Sequence, residues 1–406
     1  MPFWSACSMA RRRMRSLLSG ARRVLRRFAS ERGFLGMQET YTGPYDVRQA
    51  ARAATGRREY KYDGVHDGWH QTHDSWRQGC AGRALKAAIV ERYGTPDVIE
   101  VRDVPTPVPG PREVLVRVHA ASVNDWDLGI LQGSKLVDRL LNGLTAPRVR
   151  ILGCDVAGRV DAVGKAVTGF QPGDGVYGDL SASGFGAFAE HACAPESALV
   201  RMPRTMTFEQ AAAIPQAAVL AVQGLVDVGR IGPGQQVLLN GAGGGVGTFA
   251  LQLARLHDAQ VTVVDKAHKL DGLRSLGAHQ VVDYLTEDFT RQGRRYDLVL
   301  DVKTNRSPLA YTAALKPEGV YATVGGDYSR LLQTFLLGRP VSRLSRKHLR
   351  VVALEPNKDL AFVNQLFDAG KLVPVIDRTY PLADVREAFR RLATGDHLGK
   401  VVLTIA

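Results

Sequence analysis

The segment of the chain with the clearest chemical content runs from residue 235 to residue 256. Five glycines fall within seven residues there, after the apolar run QQVLLN and before a helix-like pattern. A strand that turns through glycines into a helix N-terminus presents free backbone N–H groups and the positive helix end, which together bind a pyrophosphate. The spacing departs from the usual fingerprint only in its first residue, which is Ala rather than Gly. We therefore predict a dinucleotide site formed by Ala242, Gly243, Gly244, Gly245, Val246 and Gly247.

A second part of this predicted site is an acid at the end of the next strand. Asp265 ends the apolar run QVTVVD and follows Gly244 by 21 residues, about the interval at which a carboxylate meets the adenine ribose. This carboxylate would accept hydrogen bonds from a free 2′-hydroxyl and repel a 2′-phosphate, whereas Lys266 and Lys269 would attract that phosphate. Asp265 favours NAD(H) and the two lysines favour NADP(H), so both cofactors stay open, with the residues alone giving a slight preference for NAD(H).

Two kinds of sequence pattern surround these residues. From residue 84 to about 202, short β-like runs alternate with Gly and Pro, which predicts a β-rich domain. From about 203 to 345, apolar runs alternate with helical spacing, which predicts a doubly wound parallel sheet. Residues 346–406 return to short strands with one helix, and we expect them to complete the first domain. The predicted fold is α/β, with a nucleotide domain inserted into a β-rich domain and the active site in the cleft between them.

Residues 1–83 form a basic leader that differs from the rest of the chain. They hold 16 Lys and Arg against 7 Asp and Glu, which is +9 of the total formal charge of +13. Residues 40–80 show no apolar period that could form a core, so we expect a disordered leader. Residues 1–35 resemble a mitochondrial transit peptide or a membrane-surface helix, and an extension without a folded role is the third interpretation. We expect the folded body to bind no nucleic acid, and the protein to be cytoplasmic unless the leader is a transit peptide.

The glycine segment and five further stretches resemble one protein family. GQQVLLNGAGGGVGTFALQLAR has the spacing of the quinone oxidoreductase (zeta-crystallin) branch of the medium-chain dehydrogenase/reductase superfamily, and the similarity spans about residues 84–406. The more local similarity is to the reticulon-interacting-protein-like NAD(P)-dependent alcohol dehydrogenases. The resemblance implies a GroES-like catalytic domain with an inserted Rossmann domain, and a homodimer paired through Rossmann sheet edges. It also implies that Gly325 and Gly326 lie near the nicotinamide, and that Lys400 reaches cofactor phosphate unless it is a solvated surface lysine.

The same resemblance indicates what the catalytic domain lacks. Zinc-dependent relatives supply a Cys, a His and a third protein ligand, whereas the matching positions here are Asn124 and Cys154-Asp155. Asn is a poor zinc ligand, and one thiolate does not make a three-ligand site. Only Cys193 lies where relatives carry a four-cysteine structural zinc lobe, and the four cysteines of the chain form no CxxC pair. We therefore predict a zinc-free enzyme in a reducing compartment.

Zinc-free hydride transfer suits a quinone or an α,β-unsaturated carbonyl, because the negative charge that develops is delocalised and hydrogen bonds can hold it. Asn124 is the predicted donor, and the alternative for it is a loop residue bonded to nearby backbone. Tyr177 is a second candidate donor, with a packed aromatic as its alternative. Asp127 is expected to fix the Asn124 loop by accepting backbone N–H bonds. The rival functions are an alcohol or carbonyl dehydrogenase, and a nucleotide-sensing or partner-binding protein without enzymatic activity.

Overall fold

The computed structural model describes residues 84–291, 293, 295–304 and 306–405. The predictions made for residues 1–83 lie outside this range. Within the described residues, no helix is both long enough and apolar enough to cross a membrane.

The first domain begins with β-strands that turn at Gly and Pro, as its alternating pattern predicts. In chain order these strands are β1 (Ala84–Ile89), β2 (Glu100–Pro105), β3 (Glu113–Val123), β4 (Asp155–Val163), β5 (Gly175–Asp179), β6 (His191–Pro195) and β7 (Val200–Arg201). β3 pairs antiparallel with both β4 and β6, and it buries Val114, Val116 and Val118. The helices α1 (Asp125–Gln132) and α2 (Leu136–Asn142) follow β3, so α1 begins where this central strand ends.

The second domain is built on a parallel sheet. The helices α3 (Phe208–Ala212) and α4 (Pro215–Val222) lead into it. Strands and helices then follow as β8 (Gln236–Asn240), α5 (Gly245–Leu256), β9 (Gln260–Asp265), α6 (Leu270–Ser275), β10 (Gln280–Asp283), β11 (Tyr296–Asp301), α7 (Pro308–Ala314), β12 (Leu315–Thr323), α8 (Tyr328–Ser345) and β13 (His348–Val351). The strands pair in parallel in the order β10-β9-β8-β11-β12-β13. The order reverses between β8 and β11, the point at which doubly wound folds bind their ligands. The predicted fold class is therefore confirmed.

The remaining residues return to the first sheet as α9 (Leu360–Asp368), β14 (Ile376–Pro381), α10 (Val385–Thr394) and β15 (Lys400–Thr404). β15 pairs antiparallel with β3, which gives the first sheet the order β14-β15-β3-β4-β5-β7. Phe389 of α10 packs edge-on against Phe188, with 5.9 Å between the ring centroids. The predicted boundary at residue 345 is too early, because β13 pairs with β12 at the edge of the parallel sheet. A short apolar run such as LRVV does not indicate which of two sheets it will join.

Candidate active site

Asn124 lies directly after β3 and precedes the first residue of α1. Asp127 Oδ2 accepts a hydrogen bond from Asn124 N at 2.9 Å, and Asp127 Oδ1 accepts one from Gly153 N at 2.9 Å. The Asp127 carboxylate therefore ties the start of α1 to the segment that precedes β4. Asn124 is only 7% exposed, so its side chain is directed into the protein.

The side-chain amide of Asn124 is hydrogen-bonded within the protein at both ends. Its Nδ2 donates to Asp155 Oδ2 at 3.0 Å and to Cys154 Sγ at 3.2 Å, and its Oδ1 accepts from Lys400 Nζ at 2.5 Å. An amide carries two N–H donors, and both are committed here. In this geometry Asn124 positions its neighbours, and its predicted role as hydrogen-bond donor to the substrate stays a prediction that would require one of these bonds to break.

Asp155 is the centre of this cluster. Its Oδ2 accepts from Ser122 Oγ at 2.7 Å and from Lys400 Nζ at 3.1 Å, and its Oδ1 accepts the backbone N–H of Gln216 at 3.0 Å. The carboxylate is fully buried, so it needs a paired cation to offset its desolvation. Lys400 supplies that cation, and Gln216 of α4 joins the cluster to the chain that enters the parallel sheet.

Lys400 connects the glycine loop to the Asn124 cluster. A Cβ placed on Gly245 would lie 2.4 Å from Lys400 Cδ, so the lysine stem crosses the start of α5. Its ammonium continues to Asn124 Oδ1 and Asp155 Oδ2, and the residue is only 4% exposed. Lys400 is therefore not a solvated surface lysine. The ammonium is bonded to the Asn124 cluster rather than to the glycine loop, and the predicted phosphate contact stays a prediction.

Tyr177, the second predicted donor, is held elsewhere. Its ring is buried, and its hydroxyl donates to Asn364 Oδ1 of α9 at 2.6 Å. Burial raises the pKa of this phenol, with Asp368 adding a smaller effect of the same sign. The hydroxyl proton is thus both bonded and hard to release, and we assign Tyr177 to packing rather than to proton donation.

The glycine loop has the geometry of an anion site. Gly241, with φ of 76°, turns the chain out of β8, and Gly244 precedes the first residue of α5. A Cβ on Gly247 would lie 2.4 Å from Ala242 Cα, so the close approach of helix and loop requires glycine at that position. The first N–H groups of α5, beginning with Gly245 and Val246, have no carbonyl within the helix to bond. The loop can therefore present these groups to a pyrophosphate.

Asp265, at the end of β9, is bonded to the loop and to a lysine. Its Oδ2 accepts from Gly243 N at 2.7 Å, and Lys269 Nζ lies 3.2 Å from its Oδ1. Burial lowers the pKa of Lys269, and the Asp265 charge opposes that effect. Lys266 points to a different acid, with 2.6 Å between its Nζ and Asp396 Oδ1. Of the two predicted phosphate-binding lysines, only Lys269 therefore lies against the predicted ribose acid.

Gly325 and Gly326 follow β12, at the carboxyl end of the parallel sheet. Gly326 has φ of 110° and forms a bridge with Thr304, and a Cβ there would lie 2.7 Å from Thr304 N. A Cβ on Gly325 would meet no atom within 4 Å. The pair thus borders the switch point of the sheet, where a bound dinucleotide would end.

Two buried acids near the cluster make stability depend on pH. Burial raises the pKa of Asp179 to about 7, helped by the charge of Asp155, and burial also raises the pKa of Asp127 to about 7. Asp179 Oδ1 accepts from Ser181 N at 2.7 Å, but its Oδ2 has no hydrogen-bond partner among the described residues. Between about pH 4 and about pH 7, the folded protein holds protons that the unfolded chain releases. The free energy of unfolding should therefore fall as pH rises through this window.

Asp179→Asn is expected to flatten that fall, because a neutral amide no longer loses a proton next to Asp155. Each raised pKa corresponds to at most roughly 4 kcal/mol between about pH 4 and about pH 8. Urea unfolding across this range measures the slope. Asp271→Asn, which changes an exposed acid of α6, should keep the wild-type slope. If Asp179→Asn keeps it too, the raised pKa of Asp179 is contradicted.

An α/β chain with a β-rich domain, a parallel nucleotide-type sheet and a polar cluster between them is the architecture of a dehydrogenase. Two family models match it: an alcohol dehydrogenase GroES-like domain over residues 110–204, and a zinc-binding dehydrogenase over residues 276–403.

Comparison with similar proteins shows to which group of dehydrogenases the chain is related. The chain is 31% identical over 336 residues to the chloroplast envelope quinone oxidoreductase homolog of Arabidopsis thaliana, covering 80% of this chain and 99% of that protein. It is 30% identical over 360 residues to the human mitochondrial NAD(P)H oxidoreductase RTN4IP1, covering 79% and 89%. The solved quinone oxidoreductase of Coxiella burnetii superposes with a TM-score of 0.70 at 27% identity, covering 80% and 100%. The chain belongs to the medium-chain dehydrogenase/reductase superfamily, and it is an oxidoreductase enzyme.

One family model that matches the chain is that of a zinc-binding dehydrogenase, and three residues of the cluster have metal-ligating side chains. Cys154 Sγ and carboxylate oxygens of Asp155 and Asp179 all lie within 4.8 Å of one another. The Lys400 ammonium already binds Asp155, and a dication would sit beside that positive charge. Burial also raises the pKa of Cys154 well above its usual range, with nearby acids adding to the rise. A zinc ion bound here would therefore have to displace the Lys400 ammonium from Asp155 and deprotonate the buried Cys154 thiol.

Sequence reasoning missed several members of the cluster. From the sequence, Asp155 is expected only at a replaced zinc-ligand position and Cys154 as a small core residue near the cleft, while Ser122, Asp179 and Gln216 carry no recognisable signal. The position of Lys400 in the cluster follows from the pairing of β15 with β3, where Val401 lies opposite Val123. This register brings Lys400 next to Asn124, and it is not visible in the sequence.

Proposed function

We propose that this enzyme reduces quinones or α,β-unsaturated carbonyls with NAD(P)H and without zinc. The observation that carries the proposal is the buried Lys400 ammonium, bonded to Asn124 and Asp155, two positions that the sequence resemblance aligns with zinc ligands of zinc-dependent relatives. A fixed positive charge in a low-dielectric site stabilises negative charge without reorganisation. The names of the relatives, quinone oxidoreductases and an NAD(P)H oxidoreductase, support the same reaction class.

The residues for binding a nicotinamide dinucleotide are present. The loop from Gly243 to Gly247 would hold the pyrophosphate, and Asp265 with Lys269 would meet the adenosine ribose. Gly325 and Gly326 would leave room for the nicotinamide end. The bound cofactor supplies the hydride.

Lys400 is the residue that would contact the reacting substrate. An ammonium has three N–H donors, and two of them go to Asn124 Oδ1 and Asp155 Oδ2. We assign the third to the substrate oxygen, where negative charge develops when a hydride adds to the conjugated carbon. The enolate or phenolate formed there takes its proton from solvent. Asn124 and Asp155 hold the ammonium in place, which fixes the direction of its remaining donor.

The cellular location is proposed from the names of the relatives and from the basic residues 1–35. Relatives carry mitochondrial and chloroplastic names, which supports a targeting role for residues 1–35, with the cytoplasm as the alternative. A homodimer remains our proposal, since β13 is an edge strand of the parallel sheet.

Turnover with a substrate panel tests the proposed function. The full chain is expected to oxidise NADH or NADPH with quinones and enones, and to act poorly on simple alcohols and ketones. Its activity should survive chelation, and metal analysis should find no stoichiometric zinc. Zinc at one ion per chain, together with activity on simple alcohols, would favour the alcohol dehydrogenase alternative. No oxidation of either cofactor with any quinone or enone would overturn the proposal.

A further inference from the structure

Three lysine side chains lie across the glycine loop. Each stem would come closer than 3.0 Å to a Cβ added to one glycine of the loop. The three pairs are Gly241 with Lys303, Gly243 with Lys269, and Gly245 with Lys400. Glycine at these positions therefore makes room for lysine side chains beside the N–H groups of the loop. Of the three lysines, only Lys303 has no role in the site as described so far.

The Lys303 ammonium contacts the other domain across the cleft. Lys303 follows β11 by two positions, and its Nζ lies 2.7 Å from Oδ2 of Asp125, the first residue of α1. The two side chains are 49% and 63% exposed. An exposed ion pair of this kind contributes little to stability, because water screens both charges. The ammonium can therefore leave Asp125 at little cost when a stronger anion binds beside it.

The other two lysines are held more firmly. Lys269 and Lys400 are each paired with a buried carboxylate, and both lysines are themselves buried. Burial lowers the pKa of Lys269, and the Lys303 charge acts in the same direction. Lys303 thus belongs to the same group of positive charges at the loop, and it is the member whose partner a ligand can replace most readily.

A buried histidine beside the loop lacks a hydrogen-bond partner. His397 is 5% exposed, and its Nδ1 has no partner among the described residues. It precedes by two positions Gly399, whose N–H donates to Gly243 O at 2.8 Å. Burial lowers the pKa of His397 to about 4, and the charges of Lys269 and Lys303 add to that effect. A buried polar atom is normally hydrogen-bonded, so the unpaired nitrogen indicates room for a polar ligand atom near these ammonium groups.

We propose that Lys303 exchanges partners when the dinucleotide binds, so that its ammonium leaves Asp125 and binds the pyrophosphate at the glycine loop. The Lys303 stem already lies on Gly241, at the beginning of the loop. A pyrophosphate offers two negative charges where Asp125 offers one, and hydrogen bonds from an ammonium to phosphate are among the stronger ones. The first N–H groups of α5 would bind the same anion. The proposal rests on the cofactor class in the proposed function and not on the substrate.

Equilibrium binding without turnover tests the exchange, with NADH, NADPH and ADP-ribose as ligands in calorimetric titrations of the full chain. Lys303→Met is expected to weaken the binding of all three by about tenfold, because all three carry the pyrophosphate. Lys303→Arg keeps the charge and should recover most of the affinity. The matched control is Lys316→Met, since Lys316 Nζ also lies 2.7 Å from a carboxylate oxygen, that of Asp297 at the opposite end of β11. This control should bind as the wild type does, and thermal unfolding checks that each variant is folded.

Asp125→Asn should have the opposite effect. Without the competing carboxylate, the three ligands are expected to bind about two- to fivefold more tightly. This gain should disappear when Asp125→Asn is combined with Lys303→Met. An equal gain in both backgrounds would mean that Asp125 only repels the anion, and it would overturn the exchange.

The remaining outcomes separate this proposal from the proposed function. Unchanged affinity in Lys303→Met would overturn the exchange and leave the proposed function intact. A loss confined to NADPH would overturn it too, because the ammonium would then bind the 2′-phosphate. So would a loss for NADH and NADPH without one for ADP-ribose, because the contact would then be at the nicotinamide end. A wild type that binds the cofactors but reduces no quinone or enone would contradict only the proposed function, whereas one that binds none of the three ligands would overturn both.

Discussion

Lys400→Met is expected to lower kcat for quinone or enone reduction by about a hundredfold or more. The variant removes the ammonium that lies 2.5 Å from Asn124 Oδ1 and 3.1 Å from Asp155 Oδ2. No other cation contacts these atoms among the described residues, so charge on the substrate oxygen would lose its counter-ion. Stopped-flow kinetics measure the rate of hydride transfer in both proteins. A separate titration measures their affinity for the cofactor.

Controls separate this effect from misfolding and from phosphate binding. Asp155 stays buried in Lys400→Met without its cation, which can cost about 3–5 kcal/mol of stability, so the unfolding temperature must be measured as well. Lys400→Arg keeps the charge and should recover part of the rate, and Lys165→Met, at an exposed lysine, should behave as the wild type. If Lys400→Met weakens cofactor binding but keeps kcat, the lysine serves the phosphate, as its sequence motif first suggested.

Asp265→Ser is expected to shift the preference between NADPH and NADH toward NADPH by between about tenfold and a hundredfold. In the wild type, Lys269 is committed to Asp265 at 3.2 Å and Lys266 to Asp396 at 2.6 Å. Removing the carboxylate frees the Lys269 ammonium for a 2′-phosphate, and it removes the acceptor for a 2′-hydroxyl. Fluorescence titration with both reduced cofactors measures the two dissociation constants.

Asp271→Ser is the matched control, since it removes an exposed acid from α6 and should leave the ratio unchanged. Asp265 also accepts the Gly243 N–H, so weaker binding of both cofactors with an unchanged ratio would mean that the variant disturbs only the loop. That outcome would mean that Lys266 and Lys269, rather than Asp265, determine the preference between NADPH and NADH.

Local sequence patterns were enough to predict much of the fold. The run QQVLLN, the glycines after it and the apolar spacing in α5 predicted a strand, a turn and a helix, and these elements are present. Glycine at 247 and the positive φ of Gly241 are backbone requirements of that turn. Such features depend on residues close in the chain, so the sequence carries them directly.

The composition of the active site depends on contacts between distant parts of the chain. Lys400 and Asn124 are separated by 276 positions, and the register of β15 on β3 brings them together. That contact shows Asn124 bonded to a lysine that the sequence did not place beside it. Likewise, only the packing of α2 shows that Asp138 is buried while its leucines are exposed. Type and spacing determined that the chain forms a dinucleotide-type fold. The tertiary structure determined which cation lies in the cluster and which helix faces are exposed, because strand pairing and packing are set by the whole chain rather than by neighbouring residues.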